Sequence, residues 1–396
     1  MGALDGITVL DLAILVQGPQ AAAMLHDLGA TVIKVELPGF GDLGRYIRSD
    51  PAQGASGFFE GCNRGKRSVT LDLRTAGGKR ALRRLVERAD VLIHNFVPGT
   101  MESWGLSYEE LSAINPALVY AGGSTFGPLG PDAAREGADT LGQAAGGLMS
   151  TTGSDGEPPT AVGAVIADHI GCQNMVSGIL AALLHRERRS GRGQRVEVSL
   201  LGGQIWAQCS ELTHYLLHGQ VPGRANRGHP IIKGLLRMVP TADGWIQLVG
   251  VPRQLWPAFA HAIDRPDLAD DPRFLTLLYA PEDLAELCRL VDEIFPTRTT
   301  AEWCERLSAA GQRFAPVRDY AEVAADPGAV ANGYLVEVDH PERGRCLVVG
   351  NPIRLSDTPT VAGVVAPELG QHTEEVLLEA GFSWEEIEQL RADGAW

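Results

Sequence analysis

Two short apolar runs, ITVLDL at 7–12 and TVIKVE at 31–36, flank the segment PQAAAMLHDLG, whose spacing is helical and whose Pro19 stands near a first turn. Strand, helix and strand this close together form a βαβ unit, and its strands lie parallel in one sheet. The alternation continues with a helix around 77–88, a strand at 90–94 (DVLIH) and another near 117–121 (ALVYA), separated by short loops bearing Gly or Pro. The expected architecture is α/β, with a large domain built as a Rossmann-like layered sheet. The turn after the first strand reads LVQGPQ and carries no GxGxxG, which speaks against a dinucleotide cofactor and against a dinucleotide oxidoreductase.

Further along, residues 168–188 read as a helix with apolar positions at Ile170, Met175, Ile179, Leu180, Leu183 and Leu184, and RVEVSL at 195–200 is the strand beyond the turn SGRGQ. A long helix near 201–218 precedes a stretch, 219–234, that is rich in Gly, Pro, Arg and His, lacks periodicity and reads as a linker. From 236 a strand, turn and strand (RMVPTADGWIQLVG) lead into helical segments around 253–263, 283–295 and 300–310, a smaller mixed domain ending near Pro316. Strands around 334–338 and 345–349 and a C-terminal helix pair, EEVLLEAG and WEEIEQLRA, close the chain. A length of 396 residues favours two domains over one.

The net charge of −15 excludes broad binding to nucleic acid or to anionic membranes, both of which need a basic surface. An anionic ligand would need a local basic pocket, and a dense cluster is Arg64, Lys66 and Arg67 in NRGKRS. No long uncharged apolar run suits a bilayer, and MGALDGITVLDL carries acids where a secretory signal carries lysine and arginine, so the chain reads as cytoplasmic. The six cysteines are scattered without a CxxC pair or a zinc-like spacing to histidine, so no metal site is expected.

Asp168 stands out among the polar residues. It follows the small, apolar run AVGAVIA and opens the helix HIGCQNMVSGILAALLH. Aspartate is a preferred N-cap, and the positive helix end that makes it so also keeps a carboxylate ionised, as a nucleophile requires. Position alone leaves both roles open.

The segment PPTAVGAVIADHIGCQNMVSGILAALLHRERRSGRGQRVEVSL resembles the signature of the class III CoA-transferases, the family of formyl-CoA:oxalate and carnitine CoA-transferases and of α-methylacyl-CoA racemases. LDGITVLDL, LGATVIKVELPGFGD, NRGKRSVTLDL, ADVLIHNFVPGTMESWGLSYEEL, QAAGGLMSTTG and LGQHTEEVL also resemble it in order and spacing, so the likeness covers nearly the whole chain. The resemblance implies transfer of coenzyme A between carboxylic acids through covalent aspartyl anhydride and aspartyl-CoA thioester intermediates, with Asp168 as nucleophile. Acyl-CoA and an acceptor acid are then substrates, and no cofactor is bound permanently. Contacts to the CoA nucleotide are implied for Val16, Leu71, Asp72, Arg74, Asn95, Phe96 and Gly99. Each also has an ordinary reading: Val16 and Phe96 as packing, Asn95 as a turn residue, Arg74 as a solvated charge.

The sequence departs from the formyl-CoA enzyme where that enzyme places basic residues for the CoA phosphates, reading Leu37, Ser103 and Glu136. Arg45, Arg64, Lys66, Arg74 and Arg135 are the substitutes in view. The GGG-type loop of the small domain is absent as well. The racemase motif Arg-x-Gly-His-Asp reads Arg135-Glu136-Gly137-Ala138-Asp139; alanine exchanges no proton, which disfavours the racemase alternative. His169 is the nearby substitute base, and Asp139 reads as the cap of the helix TLGQAAGGLM. A non-catalytic CoA-binding subunit would be expected to lack the aspartate. The resemblance further implies an interlocked homodimer, with a large domain of residues 1–200 and 329–396, a helix and linker at 201–235 and an inserted small domain at 236–328.

Overall fold

A computed structural model describes residues 2–48, 54–276, 279–361 and 363–396. It opens on the expected βαβ unit, β1 (Thr8–Asp11), α1 (Gln17–Asp27) and β2 (Thr31–Glu36). There follow α2 (Gly57–Asn63), β3 (Arg67–Thr70), α3 (Ala76–Val86), β4 (Val91–His94), α4 (Thr100–Ser103), α5 (Tyr108–Ile114) and β5 (Val119–Ser124). Next come α6 (Asp139–Ala145), α7 (Leu148–Thr151), α8 (Ile166–His185), β6 (Arg195–Ser199), α9 (Leu200–Ala207) and α10 (Cys209–His218). The chain continues through β7 (Leu236–Pro240), β8 (Trp245–Val249), α11 (Trp256–Ala262), α12 (Pro281–Ile294), α13 (Thr300–Ala309) and β9 (Phe314–Pro316). It ends with α14 (Tyr320–Ala324), α15 (Pro327–Ala331), β10 (Leu335–His340), β11 (Gly344–Val349), α16 (Thr373–Glu379) and α17 (Trp384–Ala392). Among the described residues no helix is long and apolar enough to cross a membrane.

Two units result. One holds Met1–Gly146, Gly163–Ala207 and Asp326–Trp396; the other holds Gly147–Val162 and Gln208–Ala325. The stretch 147–162, expected with the first part of the large domain, therefore belongs to the second unit.

In the first unit six strands pair in parallel in the order β3-β2-β1-β4-β5-β6. β1, β2 and β4 are nearly continuous buried runs because helices cover a parallel sheet on both faces. One face packs Leu10, Val35, Leu82, Leu92 and Leu377, and the other Val9, Leu25, Ile93, Met175 and Ile179. The order reverses between β1 and β4, and in such sheets ligands bind outside the carboxyl ends of the strands at that point.

In the second unit β7, β8 and β9 form an antiparallel sheet over a core of Trp256, Phe259, Phe274, Phe295 and Trp303. Both buried indoles are satisfied, Trp256 by the Leu268 carbonyl at 2.6 Å and Trp303 by the Phe295 carbonyl at 2.7 Å. The stretch 219–234 has neither helix nor strand, as its composition implied, yet it is not a free connector. Arg224 donates to the carbonyls of Met149, Thr152 and Glu157, and Asn226 donates to Asp155 at 2.7 Å.

A cluster of buried charge sits where β1 ends. Asp11 lies opposite Lys34 in the register and accepts from Lys66 at 2.7 Å. Lys34 in turn bonds the Ala13 carbonyl at 2.9 Å and pairs with Asp42 at 2.9 Å, and all of these side chains are fully buried. Burial works against every one of these charges. Lys34 and Lys66 nonetheless hold the Asp11 carboxyl below its usual range, Asp11 and Asp42 raise the Lys34 ammonium, and burial pulls Lys66 down to about 8. Removing one partner leaves a buried ion uncompensated. Lys34→Met is expected to destabilise the first unit by about 3 kcal/mol; calorimetric unfolding measures it, and an unchanged profile would show that the cluster does not hold the strand ends.

Candidate active site

The loop after β1 is built as a spacer between two cavities. The Asp11 carboxylate accepts the Ala13 N–H at 3.0 Å, and Asn95 both accepts from and donates to the Ile14 backbone, each at 2.8 Å. Leu15 adopts a left-handed φ of 66°, a strain of about 1 kcal/mol for a residue with a Cβ, and its N–H is held by Asp42 at 2.9 Å. Three polar side chains thus fix a turn that apolar packing alone would not select.

On one side, over the ends of β1 to β4, lies a cavity of about 280 Å³ lined by Ile14, Leu37, Phe40, Leu71, Arg74 and Phe96, with Asp72 and Trp104 among its other walls. On the other lies a cavity of about 830 Å³ lined by Val16, Gln20, Cys62, Arg64, His169 and Asn351, among others. The implied contacts therefore divide: Leu71, Asp72, Arg74 and Phe96 meet at the first cavity, and Val16 faces the second. Asn95 shapes the loop between them, and Gly99, at φ 93°, supplies the left-handed turn before α4.

Three of the cations proposed for the phosphates are turned inward. Arg45 forks onto Glu36 at 2.8 and 2.7 Å and lies 3.6 Å over the Phe59 ring. Arg64 pairs with buried Asp27, and Lys66 is spent on Asp11. Arg135 is exposed, bonded to Asp132 at 2.8 Å and stacked on Phe126. Arg74 alone of the five lines the first cavity, its side chain 65% exposed and oriented by a two-pronged bond to Asp72 at 2.8 and 2.7 Å. Leu37 lines the same cavity, while Ser103 and Glu136 are exposed.

Asp168 is the third residue of α8, not its N-cap, because the helix starts at Ile166. The cap comes from elsewhere in the chain. Asp139 Oδ1 accepts the N–H groups of Ala167 at 2.7 Å and Asp168 at 3.3 Å, while its Oδ2 accepts from Gln143 at 2.6 Å. Asp139 thus caps α8 and not the helix it begins, which corrects the sequence expectation. The second correction concerns ionisation. Burial, then the Asp139 charge, push Asp168 up to about 7, opposite to the lowering expected at a helix start. Among the described residues no hydrogen bond reaches the Asp168 carboxylate. His169 bonds Gln20 through Nδ1 at 2.7 Å, and burial lowers its pKa.

Sequence reasoning missed Gln17. It is 3% exposed and lodged in a notch that only glycine leaves open: a Cβ at Gly123 would come within 2.2 Å of its Oε1, and one at Gly171 within 2.7 Å of its Nε2. That Nε2 has no hydrogen-bond partner among the described residues. The Gln-Gly-Pro turn was visible in the sequence, but its glycine partners lie on β5 and α8 and left no local signal.

Known proteins resemble this chain in sequence and in fold. The family model for CoA-transferase family III matches residues 4–373. A formyl-CoA:oxalate CoA-transferase of Streptomyces coelicolor is 36% identical, the alignment covering 99% of this chain and 98% of that one. A succinyl-CoA–D-citramalate CoA-transferase of Chloroflexus aurantiacus is 34% identical over 98% of this chain and 97% of its own. The crystal structure of a CAIB/BAIF family protein from Brucella suis superposes with a TM-score of 0.85 at 32% identity, covering 96% of this chain and 100% of that one. With a family match over nearly its full length, relatives aligned end to end and the same fold, the chain belongs to CoA-transferase family III.

Proposed function

We propose that this enzyme moves coenzyme A from an acyl-CoA to a free carboxylic acid, with Asp168 carrying the acyl group and then the CoA. The observation that carries the reading is a half-buried carboxylate with no hydrogen bond to quench it among the described residues and a pKa near neutrality, on a helix whose next residue lines a cavity. The Asp168 oxygen attacks the thioester carbonyl, the C–S bond breaks, and CoA leaves as thiolate from a mixed anhydride. The thiolate then attacks the aspartyl carbon and releases the donor acid as carboxylate. The acceptor carboxylate opens the aspartyl thioester to a second anhydride, and the thiolate takes the new acyl group and frees Asp168. The oxyanion formed at each step needs a donor, and Gln17 Nε2, without a partner among the described residues, is the one we assign to it.

The nucleotide of CoA is assigned to the first cavity, with its anionic part at Arg74. The relatives differ in acyl group and acceptor, so the acids used by this chain are left to the second cavity and its surroundings. Ala138 offers no proton at the racemase position, and His169 is engaged with Gln20, so transfer is preferred to racemisation.

The homodimer implied by the family is retained as part of the reading. Trp206 on α9 is 70% exposed and Leu216 and Leu217 on α10 are 71% and 73% exposed, an apolar load that a partner chain would cover.

Incubation with a panel of acyl-CoAs, rapid quenching and peptide mass spectrometry is expected to show an acyl or CoA adduct on the Asp168 peptide, absent in Asp168→Asn. No adduct with any donor, together with solvent-deuterium uptake at the α-carbon, would favour racemisation. Because attack needs the ionised carboxylate, kcat/KM is expected to rise with pH through about 7 and to fall below it. Arg74→Ala is expected to raise KM for acyl-CoA about tenfold with kcat little changed; an unchanged KM would place the phosphates elsewhere. Tagged and untagged protein mixed after purification are expected not to form heterodimers, as interlocked chains cannot exchange without unfolding.

A further inference from the structure

A helix start ordinarily offers free N–H groups, and a positive potential with them, to whatever anion sits there. In α8 those donors are already taken. Asp139 holds the N–H groups of Ala167 and Asp168, and the His169 N–H bonds the Val165 carbonyl at 3.1 Å. Asp139 is 5% exposed and fixed from the other side by Gln143, so it cannot turn away to solvent. A second carboxylate therefore stands against the residue that reacts. The two come from elements 29 residues apart in sequence and meet only because α6 packs on α8.

We propose that Asp139 is a positioning residue for the transfer reaction: it locks the first turn of α8 and sets a fixed negative charge against Asp168, favouring every state in which Asp168 is acylated and uncharged. The inference rests on Asp168 being the residue acylated. Attack on the thioester removes the Asp168 charge, since the anhydride and the aspartyl thioester are both neutral, and with it the repulsion from Asp139. The same repulsion raises the basicity of the free carboxylate, and so its strength as a nucleophile. The elements around α8 bring other groups: His26 and Asp27 on α1, Tyr120 on β5, Arg195 and Glu197 on β6, Arg186, Glu187, Arg188 and Arg189 on the turn that follows α8, and none on α9. On α8 itself stand His169, Cys172 and His185. Of these groups Asp139 is the one whose charge raises the Asp168 carboxylate, second to burial; the Cys172 thiol also feels Asp168, but burial pushes it up to about 12 and it carries no charge near neutrality.

The test compares wild type with Asp139→Asn, which keeps an oxygen for the helix N–H groups and loses the charge, and with Asp139→Ser, a smaller neutral cap. Trapping of the Asp168 adduct with formyl-, acetyl- and succinyl-CoA in wild type comes first; its absence with all three overturns the reading on which the inference rests. With the adduct seen, the acid limb of kcat/KM is expected to move down by about one pH unit in both variants, and the trapped adduct at steady state to fall about tenfold. A lower melting temperature with an unmoved limb and unchanged adduct in either folded variant would reduce Asp139 to a helix cap and overturn the proposal.

Discussion

Asp11 stands at the last position of β1 and shares its carboxylate between the ammonium groups of Lys34 and Lys66, all out of contact with solvent. Much of the site follows from that arrangement. A charge in the middle of a parallel sheet would by itself oppose folding, and it is tolerated because each ion finds an opposite one and each ammonium also donates to a carbonyl. The same groups then reach past the strand: Asp11 and Lys34 take the N–H and the carbonyl of Ala13, and Asp42, paired with Lys34, takes the N–H of the strained Leu15. The end of the strand and the turn that separates the two cavities are thus one bonded object.

The Asp168 carboxylate is placed by different means. Helix α8 crosses from β5 to β6 and packs on α1, and its first turn is closed by Asp139. The outcome is a carboxylate whose ordinary partners at a helix start have been given to a neighbour of like charge. Burial and that neighbour set its proton affinity near neutrality, as the proposed nucleophilic role requires. The Gln17 amide, wedged between two glycines, is held with its N–H unspent on the face of α8 that carries Gly171.

The fate of the cations shows how little a residue type says without its surroundings. NRGKRS is a dense basic run in the sequence, yet Arg64 and Lys66 neutralise buried aspartates and Arg67 bonds Glu379 on α16. Arg45 is likewise consumed by Glu36. Only Arg74, held upright by Asp72, is left at the strand-end cavity with most of its side chain exposed.

The sequence by itself determined the layered α/β fold, since apolar runs at strand and helix spacing separated by Gly and Pro turns leave a covered parallel sheet as the consistent arrangement. It also singled out Asp168, because a carboxylate after a small apolar run at a helix start is a local pattern, and the family likeness rests on such local runs. Only the tertiary structure decided that α8 begins two residues earlier, that its cap is Asp139, that Gln17 lies beside Gly123 and Gly171, and that most basic residues of the first seventy point inward. The physical reason is common to all four. Each depends on a pairing between segments far apart in the chain, where burial fixes both which groups meet and how strongly their charges act, and neither quantity is written in local spacing.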